Sequence, residues 1–383
     1  MALDKVVDSA LLDGALTATA DAIREKTGGS DLIPWDATKG FADVVSGIEA
    51  GGGFPNGTEW TQCYHYGGNR IVHANGLWVM GGAKGAFYSE NGKNWKDSGC
   101  LFGLGIGVEP RVSNIAYADG VWVASARRGL YYSVDGKSWT QTNHVFSTDT
   151  TFSLIYNFDG KWIAIRSDNS ITVSENGKVW SEFVAVTNKI NDILYFRGMW
   201  IVATDSGIQH TKSLDNVEWI ASNNTVKIHK LYYADGVIVA VGSGIYYSID
   251  GVTWTNGAST YGRMYNEVHK GNGMWVAMGG STSGNNGTPS ILYSVDGKNW
   301  QDTGASPFAC SYNPLFDRHF LAYANGVWVA MNSSKNKLVY SFDCVSWYDA
   351  LSDVFNDIVY ADGVWVACTA NKLYHSVTWE PTE

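Results

Sequence analysis

The sequence lacks the features of a membrane protein or a secreted precursor. None of its apolar runs reaches the roughly 18 residues that a membrane-spanning helix requires. The first residues, MALDKVVDSALLDG, place acidic side chains among the apolar ones and form no continuous hydrophobic segment, which argues against a secretory signal. We therefore expect a protein that is made in the cytoplasm, is not secreted through a signal peptide and has no membrane partner.

Cysteine is scarce, and its spacing excludes the usual uses of cysteine clusters. The five cysteines, Cys63, Cys100, Cys310, Cys344 and Cys368, are an odd number and include no Cys-x-x-Cys pair. This pattern argues against a disulfide framework and against a zinc site. The sequence also has no His-Glu-x-x-His motif, no carboxylate cluster and no phosphate-binding loop, so we predict no metal and no cofactor.

Basic residues are fewer than acidic ones, which narrows the range of partners. The 383 residues include 27 Lys and Arg against 37 Asp and Glu, a net charge of -10. Because nucleic acids and anionic membranes attract basic surfaces, neither is expected as the main partner. Hydrophobic residues make up 45% of the chain, and its 43 glycines, 17 tryptophans and 21 tyrosines contrast with only seven prolines. This composition is typical of many short strands joined by tight turns.

One segment recurs eight times along the chain. The copies are NRIVHANGLWVM (69–80), NIAYADGVWVA (114–124), LIYNFDGKWIA (154–164), ILYFRGMWIVA (193–203), LYYADGVIVA (231–240), VHKGNGMWVA (268–277), LAYANGVWVA (321–330) and IVYADGVWVA (358–367). Each copy has an apolar run, a turn ending in glycine and a second apolar run. This pattern predicts a β-hairpin, because glycine permits the positive φ of a tight turn. The fourth copy departs from it, with Arg197-Gly198 at the turn.

A second segment alternates with the first. Its copies begin at 88, 132, 173, 212, 247, 293 and 340, and a shortened one spans 374–379. The shared pattern, Ser-x-Asp/Asn-Gly-x-x-Trp, resembles the Asp-box of β-propeller proteins; its most regular copies contain Ser133, Asp135, Gly136 and Trp139, then Ser248, Asp250, Gly251 and Trp254, then Ser294, Asp296, Gly297 and Trp300. The Ser and Asp side chains are expected to hydrogen-bond the turn while Trp packs beneath it. Glycine is missing at Asn216 and Cys344, where less regular turns are expected.

The repeat period predicts the architecture. The tryptophans of the second apolar run recur about every 41 residues, the length of one four-stranded propeller blade. Eight periods predict an all-β protein with a single eight-bladed β-propeller over residues 54–383, with seven blades as the alternative because the end repeats are degenerate. The repeat tryptophans are expected to pack between blades. The fragment PNGTEW (55–60) looks like the end of another box, so the strand at Trp60 is expected to complete the last blade; Trp379 is the alternative source of that strand.

Residues 1–50 lack the repeat. Their apolar spacing predicts an amphipathic helix over about 5–26 and a shorter one later, and Gly51-Gly52-Gly53 is expected to be a hinge. Residues 20–48 resemble a segment found in tail-associated proteins of phages and prophages of Gram-positive bacteria. With the Asp-box repeats, this resemblance implies a virion protein, made in the host cytoplasm and released by lysis. It implies that residues 1–50 bind other tail or baseplate proteins, in an assembly for which a homotrimer is the expectation.

The resemblance implies a non-catalytic receptor-binding protein that presents its propeller to a host cell-surface glycan or wall polymer. Binding is expected on the face with the long connections, 97–113, 279–290 and 301–319, because long ordered loops on a rigid sheet are often functional. Aromatic and arginine side chains outside the repeat are the candidate contacts. They are Tyr64, His65, Tyr66, Phe102, Arg111, Arg127, Arg128, Tyr261, Arg263, Tyr265, Tyr312, Phe316 and Arg318.

Two other functions stay open, a sialidase-like glycoside hydrolase and a structural virion scaffold. A sialidase-like site needs an arginine cluster, a Tyr–Glu pair and an acid–base Asp. The nine arginines form no such motif, and only Glu267, near Tyr265, stands out among the glutamates, so we predict no enzyme activity. Among the histidines, His73 and His269 occupy the place of a repeated tyrosine and are expected to be structural. His65, His144 and His319 fall in variable loops, where they are freer to act.

Overall fold

The computed structural model describes residues 60–102, 109–146, 150, 152–186, 188–214, 218–258, 263–281, 290–304, 319–332 and 337–376. The predicted helical segment 1–50 and the predicted hinge 51–53 lie outside these residues. The description below concerns one compact unit of the chain, Asn56–Val377.

The described strands form eight four-stranded antiparallel sheets, the blades of the ring. The first described strand is β1 (Trp60–Tyr64). Blade 1 then contains β2 (Arg70–Ala74), β3 (Leu77–Gly82), β4 (Gly85–Ser89) and β5 (Lys96–Asp97). Blade 2 contains β6 (Val112–Ala118), β7 (Val121–Ala126), β8 (Gly129–Ser133) and β9 (Thr140–Val145). Blade 3 contains β10 (Phe152–Phe158), β11 (Lys161–Arg166), β12 (Ser170–Ser174) and β13 (Val184–Ala185).

The second half of the ring repeats this order. Blade 4 contains β14 (Ile190–Phe196), β15 (Met199–Thr204), β16 (Gly207–Thr211) and β17 (Ile220–Ala221). Blade 5 contains β18 (Ile228–Ala234), β19 (Val237–Gly242), β20 (Ile245–Ser248) and β21 (Thr255–Ala258). Blade 6 contains β22 (Arg263–Gly271), β23 (Met274–Ser281), β24 (Ser290–Ser294) and β25 (Gln301–Asp302). Blade 7 contains β26 (His319–Ala324), β27 (Val327–Asn332), β28 (Lys337–Ser341) and β29 (Tyr348–Leu351). Blade 8 contains β30 (Phe355–Ala361), β31 (Val364–Thr369) and β32 (Leu373–Ser376).

This topology confirms the all-β propeller of eight four-stranded blades and rules out the seven-bladed alternative. The hairpin turns have the predicted chemistry. In blade 2, Asp119 has a φ of 50° and Gly120 a φ of 79°, and both values are positive as a two-residue type I′ turn requires. Arg197, which replaces Asp or Asn in blade 4, adopts the same conformation with a φ of 49°.

The strand at the start of the propeller closes the ring, as its sequence predicts. β1 pairs with β32 in the last blade, where Trp60 lies opposite Ser376 and Tyr64 opposite Leu373. The outer place in blade 8 is therefore filled by the beginning of the propeller rather than by residues after 376. This arrangement covers the edge of β32, which would otherwise present unpaired backbone groups.

The hydrophobic core lies between the blades. The repeat tryptophans of the second strands are almost completely buried, as predicted: Trp78, Trp122, Trp162, Trp200, Trp275, Trp328 and Trp365. Trp122 of blade 2, for example, shares one cluster with Leu77 and Val79 of blade 1. Each blade therefore stabilises its neighbour, and no blade buries its apolar faces alone.

The Ser-x-Asp turns close by local hydrogen bonds. In blade 2 the Gly136 N–H donates to Ser133 Oγ at 2.8 Å, and the Lys137 N–H donates to Asp135 Oδ1 at 2.8 Å. Burial raises the pKa of Asp135, but the hydrogen bonds that its carboxylate accepts from Ser138, Lys137 and Ser133 together outweigh burial and hold the pKa at about 2. The expectation of a less regular turn at Cys344 is wrong, because its N–H makes the same bond to Ser341 Oγ at 2.8 Å with a φ of 64°. Asn216 lies outside the described residues.

Substituting Gly136 with alanine tests whether these turns also pack between blades. A Cβ at Gly136 would lie 2.6 Å from Leu77 Cδ2 of the neighbouring blade, whereas a Cβ at Gly120 would meet no atom within 4 Å. Both glycines have positive φ, so Gly120→Ala should cost about 1–2 kcal/mol through backbone strain alone. Gly136→Ala should cost a further ~1–3 kcal/mol through overpacking, measured by urea unfolding. Equal losses for the two variants would contradict the inter-blade contact.

Candidate functional site

The ring has two unlike faces. We call the end that holds the glycine hairpins and the Ser-x-Asp turns the turn face, and the opposite end the loop face. Successive strands of a blade are antiparallel, so the connections from second to third strand and from blade to blade all emerge at the loop face. The long connections between β5 and β6, between β23 and β24, and between β25 and β26 therefore belong to this face.

Several predicted contact residues lie on the loop face. Tyr64 is the last residue of β1, and His65 and Tyr66 lie in the connection from β1 to β2. Arg111, Arg127 and Arg128 lie beside the connections of blade 2. The side chain of Tyr66 is 46% exposed and stacks on Phe87, with ring centroids 5.8 Å apart. Tyr64 meets the edge of the Tyr66 ring at 5.6 Å. The Tyr66 ring is thus partly exposed, and its contacts with Phe87 and Tyr64 fix its position.

Three other sequence-based expectations are corrected by burial. Phe102 is 1% exposed and packs on Tyr131, and Tyr265 is 0% exposed in the core of blade 6, so neither side chain is accessible to a ligand. His144 is not in a free loop but in β9, where its Nε2 lies 2.7 Å from the Ser181 carbonyl oxygen. Tyr261, Tyr312, Phe316 and Arg318 lie outside the described residues, and only the backbone of Arg263 and His319 is described.

The strand register also corrects the assignment of His269 to a repeated tyrosine position. His269 pairs with Val276, whereas the residue opposite Trp275 is Lys270. In blade 3, likewise, Asn157 rather than Tyr156 faces Trp162. Tyr156 and His269 therefore point to the opposite side of their strands from Tyr117, Tyr195, Tyr323 and Tyr360.

The first strands of the eight blades contact one another around the axis and form the wall of a central channel. In every blade, one residue of the first strand pairs with the residue that stands three positions after the repeat tryptophan position in the second strand. We call these eight residues the channel ring: Arg70, Asn114, Leu154, Asp192, Lys230, Glu267, Phe320 and Asp357. Because the first strands run from the loop face to the turn face, most of the channel ring lies in the loop-face half of the channel, and Glu267 lies at the middle of β22.

A register irregularity directly precedes most channel-ring residues. In six blades the pairing with the second strand skips one residue just before Asn114, Leu154, Asp192, Lys230, Glu267 or Asp357. Such β-bulges bend a strand locally and change the direction of the next side chain. The bulge is thus part of how the fold presents the channel ring.

Four of the charged residues form two ion pairs between neighbouring blades. Asp192 accepts hydrogen bonds from the Leu231 N–H at 2.9 Å and from the Tyr156 hydroxyl at 3.0 Å, and Lys230 Nζ lies 3.5 Å from its Oδ2. The coulombic effect of Asp192 is the main cause of the raised pKa of Lys230.

The second pair bridges the closure between blades 8 and 1. Asp357 Oδ2 accepts the Ile71 N–H at 2.8 Å, and its Oδ1 lies 3.6 Å from an Arg70 guanidinium nitrogen. Asp357 is in turn the main cause of the raised pKa of Arg70. The two carboxylates therefore hold neighbouring blades together and neutralise the two cations of the channel ring.

Glu267 is the fifth charged residue, and it has neither a hydrogen bond nor an ion pair with any described residue. Enclosure by the channel wall raises its pKa to about 7; Lys230 and Arg70 lower the pKa, and Asp192 and Asp357 raise it. The side chain nevertheless keeps partial exposure to solvent. Glu267 thus carries the channel ring's unbalanced charge whenever it is ionised.

Glu267→Gln should change how stability depends on pH. The folded-state pKa lies above the usual glutamate pKa of 4.5, so folding favours the protonated acid, and this contribution to stability is lost as pH rises from about 4.5 through about 7. Glutamine cannot ionise. The melting temperature of Glu267→Gln relative to the native protein should therefore be higher at pH 8 than at pH 5. An unchanged difference would mean that Glu267 titrates as an ordinary exposed acid.

Sequence reasoning identified Glu267 and missed the rest of the channel ring. The signal is present: when the eight copies are aligned on Ile71 and its equivalents, five of the eight residues just before that position are charged. No group of metal-ligating side chains able to hold an ion occurs among the described residues. That same part of the chain contains no helix long and apolar enough to cross a membrane.

Comparison with known proteins supports the fold and no specific relationship. No family model and no curated protein matches the chain. Among solved structures, it is similar to Saccharomyces cerevisiae Sqt1, with a TM-score of 0.60, 12% identity and coverage of 85% of this chain and 100% of Sqt1. The computationally designed Ika8 protein gives 0.58, 11%, 84% and 99%, and BamB from Moraxella catarrhalis gives 0.54, 10%, 85% and 99%. At these identities the similarity shows the propeller fold alone.

Proposed function

We propose that the protein is a non-catalytic receptor-binding protein of a phage or prophage tail, and that its loop face binds a host cell-surface glycan or wall polymer. The observation that carries this proposal is the position of the channel ring. Most of its charged residues lie in the loop-face half of the channel, and the exposed Tyr66 ring lies on the loop face as well. Polar groups and an aromatic ring on one side of the molecule are what a hydroxyl-rich polymer requires.

The path of the chain gives this proposal a direction. Trp60 lies opposite Ser376, at the turn-face end of blade 8, so the preceding residues join the propeller there. The loop face is at the other end of the strands. Residues 1–50 would then bind other tail or baseplate proteins, as their resemblance implies, while the loop face binds the host. A homotrimer joined through residues 1–50 would add avidity to such binding.

Tyr66→Ala tests this face assignment. The experiment measures binding of the labelled full-length protein to a panel of bacterial strains and purified wall polysaccharides. Strain-selective binding is expected, and Tyr66→Ala should weaken it about tenfold, since an exposed aromatic anchor typically contributes ~1–2 kcal/mol. The control is Val295→Ala, which truncates an exposed apolar side chain, 73% accessible, on the turn face. If Val295→Ala weakens binding while Tyr66→Ala does not, the ligand binds at the turn face and the assignment to the loop face is wrong.

A sialidase-like glycoside hydrolase is the second candidate, and Glu267 favours it. A carboxyl with a pKa of about 7 suits a general acid, and Asp192 and Asp357 supply further carboxylates in the channel ring. Against it, Arg70 is the single arginine in the channel ring, whereas this class needs an arginine cluster for the substrate carboxylate. Release of sugar fragments that is lost in Glu267→Gln would establish the hydrolase. Binding only to another tail protein would establish the scaffold.

A further inference from the structure

One carboxyl group of the channel ring belongs to neither of the two ion pairs. Arg70 is matched by Asp357 and Lys230 by Asp192, each across a blade boundary. Both cations are therefore already occupied, and both aspartates also accept backbone N–H groups. Glu267 is therefore the one charged group of the channel ring that has neither a hydrogen bond nor an ion pair with a described residue.

Two aromatic rings lie just below this carboxyl. Tyr232 and His269 stand two residues further along the same strands as Lys230 and Glu267, hence on the same strand faces and deeper in the channel. Their ring centroids are 4.8 Å apart, and the rings are tilted by 43°. Burial lowers the pKa of His269, so its ring is neutral near pH 7 and does not repel a cation.

We propose that the channel mouth binds a protonated amine of the surface polymer, with Glu267 as its counter-ion and Tyr232 and His269 beneath it. This inference rests on the proposed binding of a polymer at the loop face, and it names the chemical group that is recognised there. An ammonium group fits both features, since it pairs with a carboxylate and is attracted to aromatic faces. An anionic group fits less well, because both cations already have partners and the unmatched charge is negative.

The proposal predicts a pH dependence with a definite sign. Groups from every side act on Glu267: Lys230 and Arg70 favour its ionised form, Asp192 and Asp357 oppose it, and His269 is neutral. The carboxyl group becomes ionised as pH rises through about 7. An alkylamine stays protonated over this range, so its affinity should rise about tenfold between pH 6 and pH 8.

The test uses full-length protein and one oligosaccharide in three forms. Glucose hexamers carrying aminoethyl, N-acetylaminoethyl or carboxymethyl groups present a cation, a neutral amide or an anion on the same backbone. Calorimetric titration should show binding of the aminoethyl form alone, about tenfold tighter at pH 8 than at pH 6. Glu267→Gln should weaken binding at pH 8 at least tenfold and remove the pH dependence.

The control variant is Glu182→Gln, which makes the same charge change at an exposed site near β13 and should bind like the native protein. A melting temperature of Glu267→Gln at or above the native value at pH 8 would exclude unfolding as the cause of lost binding. Equal binding of the three forms, or no binding of the aminoethyl form, would overturn the inference. So would preferred binding of the carboxymethyl form that is lost in Arg70→Gln.

Failure of this inference is distinguishable from failure of the proposed function. If Glu267→Gln still binds bacterial strains as the native protein does, the loop face recognises another group and only the amine assignment falls. If the native protein binds the aminoethyl form but no cell or wall polysaccharide, the site stands and the receptor-binding function falls.

Discussion

Deleting residues 1–64 should lower the melting temperature by roughly 10 °C. The deletion removes β1, the outer strand of blade 8, and exposes the edge of β32. It also removes Trp60, which packs against the cluster that contains Tyr374 and Trp365. Losing one strand and its apolar contacts should cost ~4–5 kcal/mol, and each kcal/mol corresponds to about 2–4 °C in a domain of this order of size. Thermal unfolding followed by circular dichroism measures the effect.

Two controls separate closure of the ring from other effects of truncation. Deleting residues 1–50 leaves β1 intact and should change the melting temperature by no more than about 2 °C, because those residues precede the strand. Trp60→Ala keeps the strand and should give an intermediate loss, since it removes one partly buried side chain. A deletion of 1–64 that melts like the native protein would mean that blade 8 does not depend on β1.

Asp192→Ala should cost about 3–5 kcal/mol of folding free energy. The substitution removes the acceptor of the Leu231 N–H and of the Tyr156 hydroxyl and leaves Lys230 without its counter-ion in the channel wall. Most of the cost comes from the Leu231 N–H and the Tyr156 hydroxyl, which lose their acceptor inside the protein, because the Lys230 side chain is 32% exposed and water can partly solvate its charge. Asp192→Asn retains an acceptor oxygen and should cost less. Equilibrium unfolding in urea gives both values.

An exposed ion pair provides the comparison. Glu175 lies 3.1 Å from Lys161 but is 76% exposed, so Glu175→Ala should cost less than about 1 kcal/mol. Asp357→Ala, at the equivalent position of blade 8, should behave like Asp192→Ala, since it also accepts a backbone N–H from the next blade. If all three alanine variants lose the same small amount, water reaches the channel ring freely and the inter-blade pairing contributes little.

The blade count, the hairpins and the closure of the ring follow from the sequence because their causes are local or periodic. An Asp-Gly pair sets its own turn through two positive φ values, as at Asp119 and Gly120, wherever it stands. The 41-residue period determines the number of strands. The partial repeat that ends at Trp60 predicts a single outer strand, and blade 8 is the blade that lacks one. The buried tryptophans recur at one position of each period, so the sequence also predicts that they pack between blades.

The grouping of the candidate-site residues depends on the tertiary structure. Asp192 and Lys230, and likewise Lys230 and Glu267, are almost 40 residues apart in sequence, and only the ring brings the inner strands together around one axis. A one-residue shift moves a side chain to the other face of its strand, and His269 was placed one residue away from the tyrosine position, which Lys270 occupies opposite Trp275. Burial of Phe102 and Tyr265 likewise depends on neighbouring strands rather than on their own loops. Local hydrogen bonds and repeat length determine the blades, whereas the environment of a channel side chain depends on the neighbouring blades that surround it.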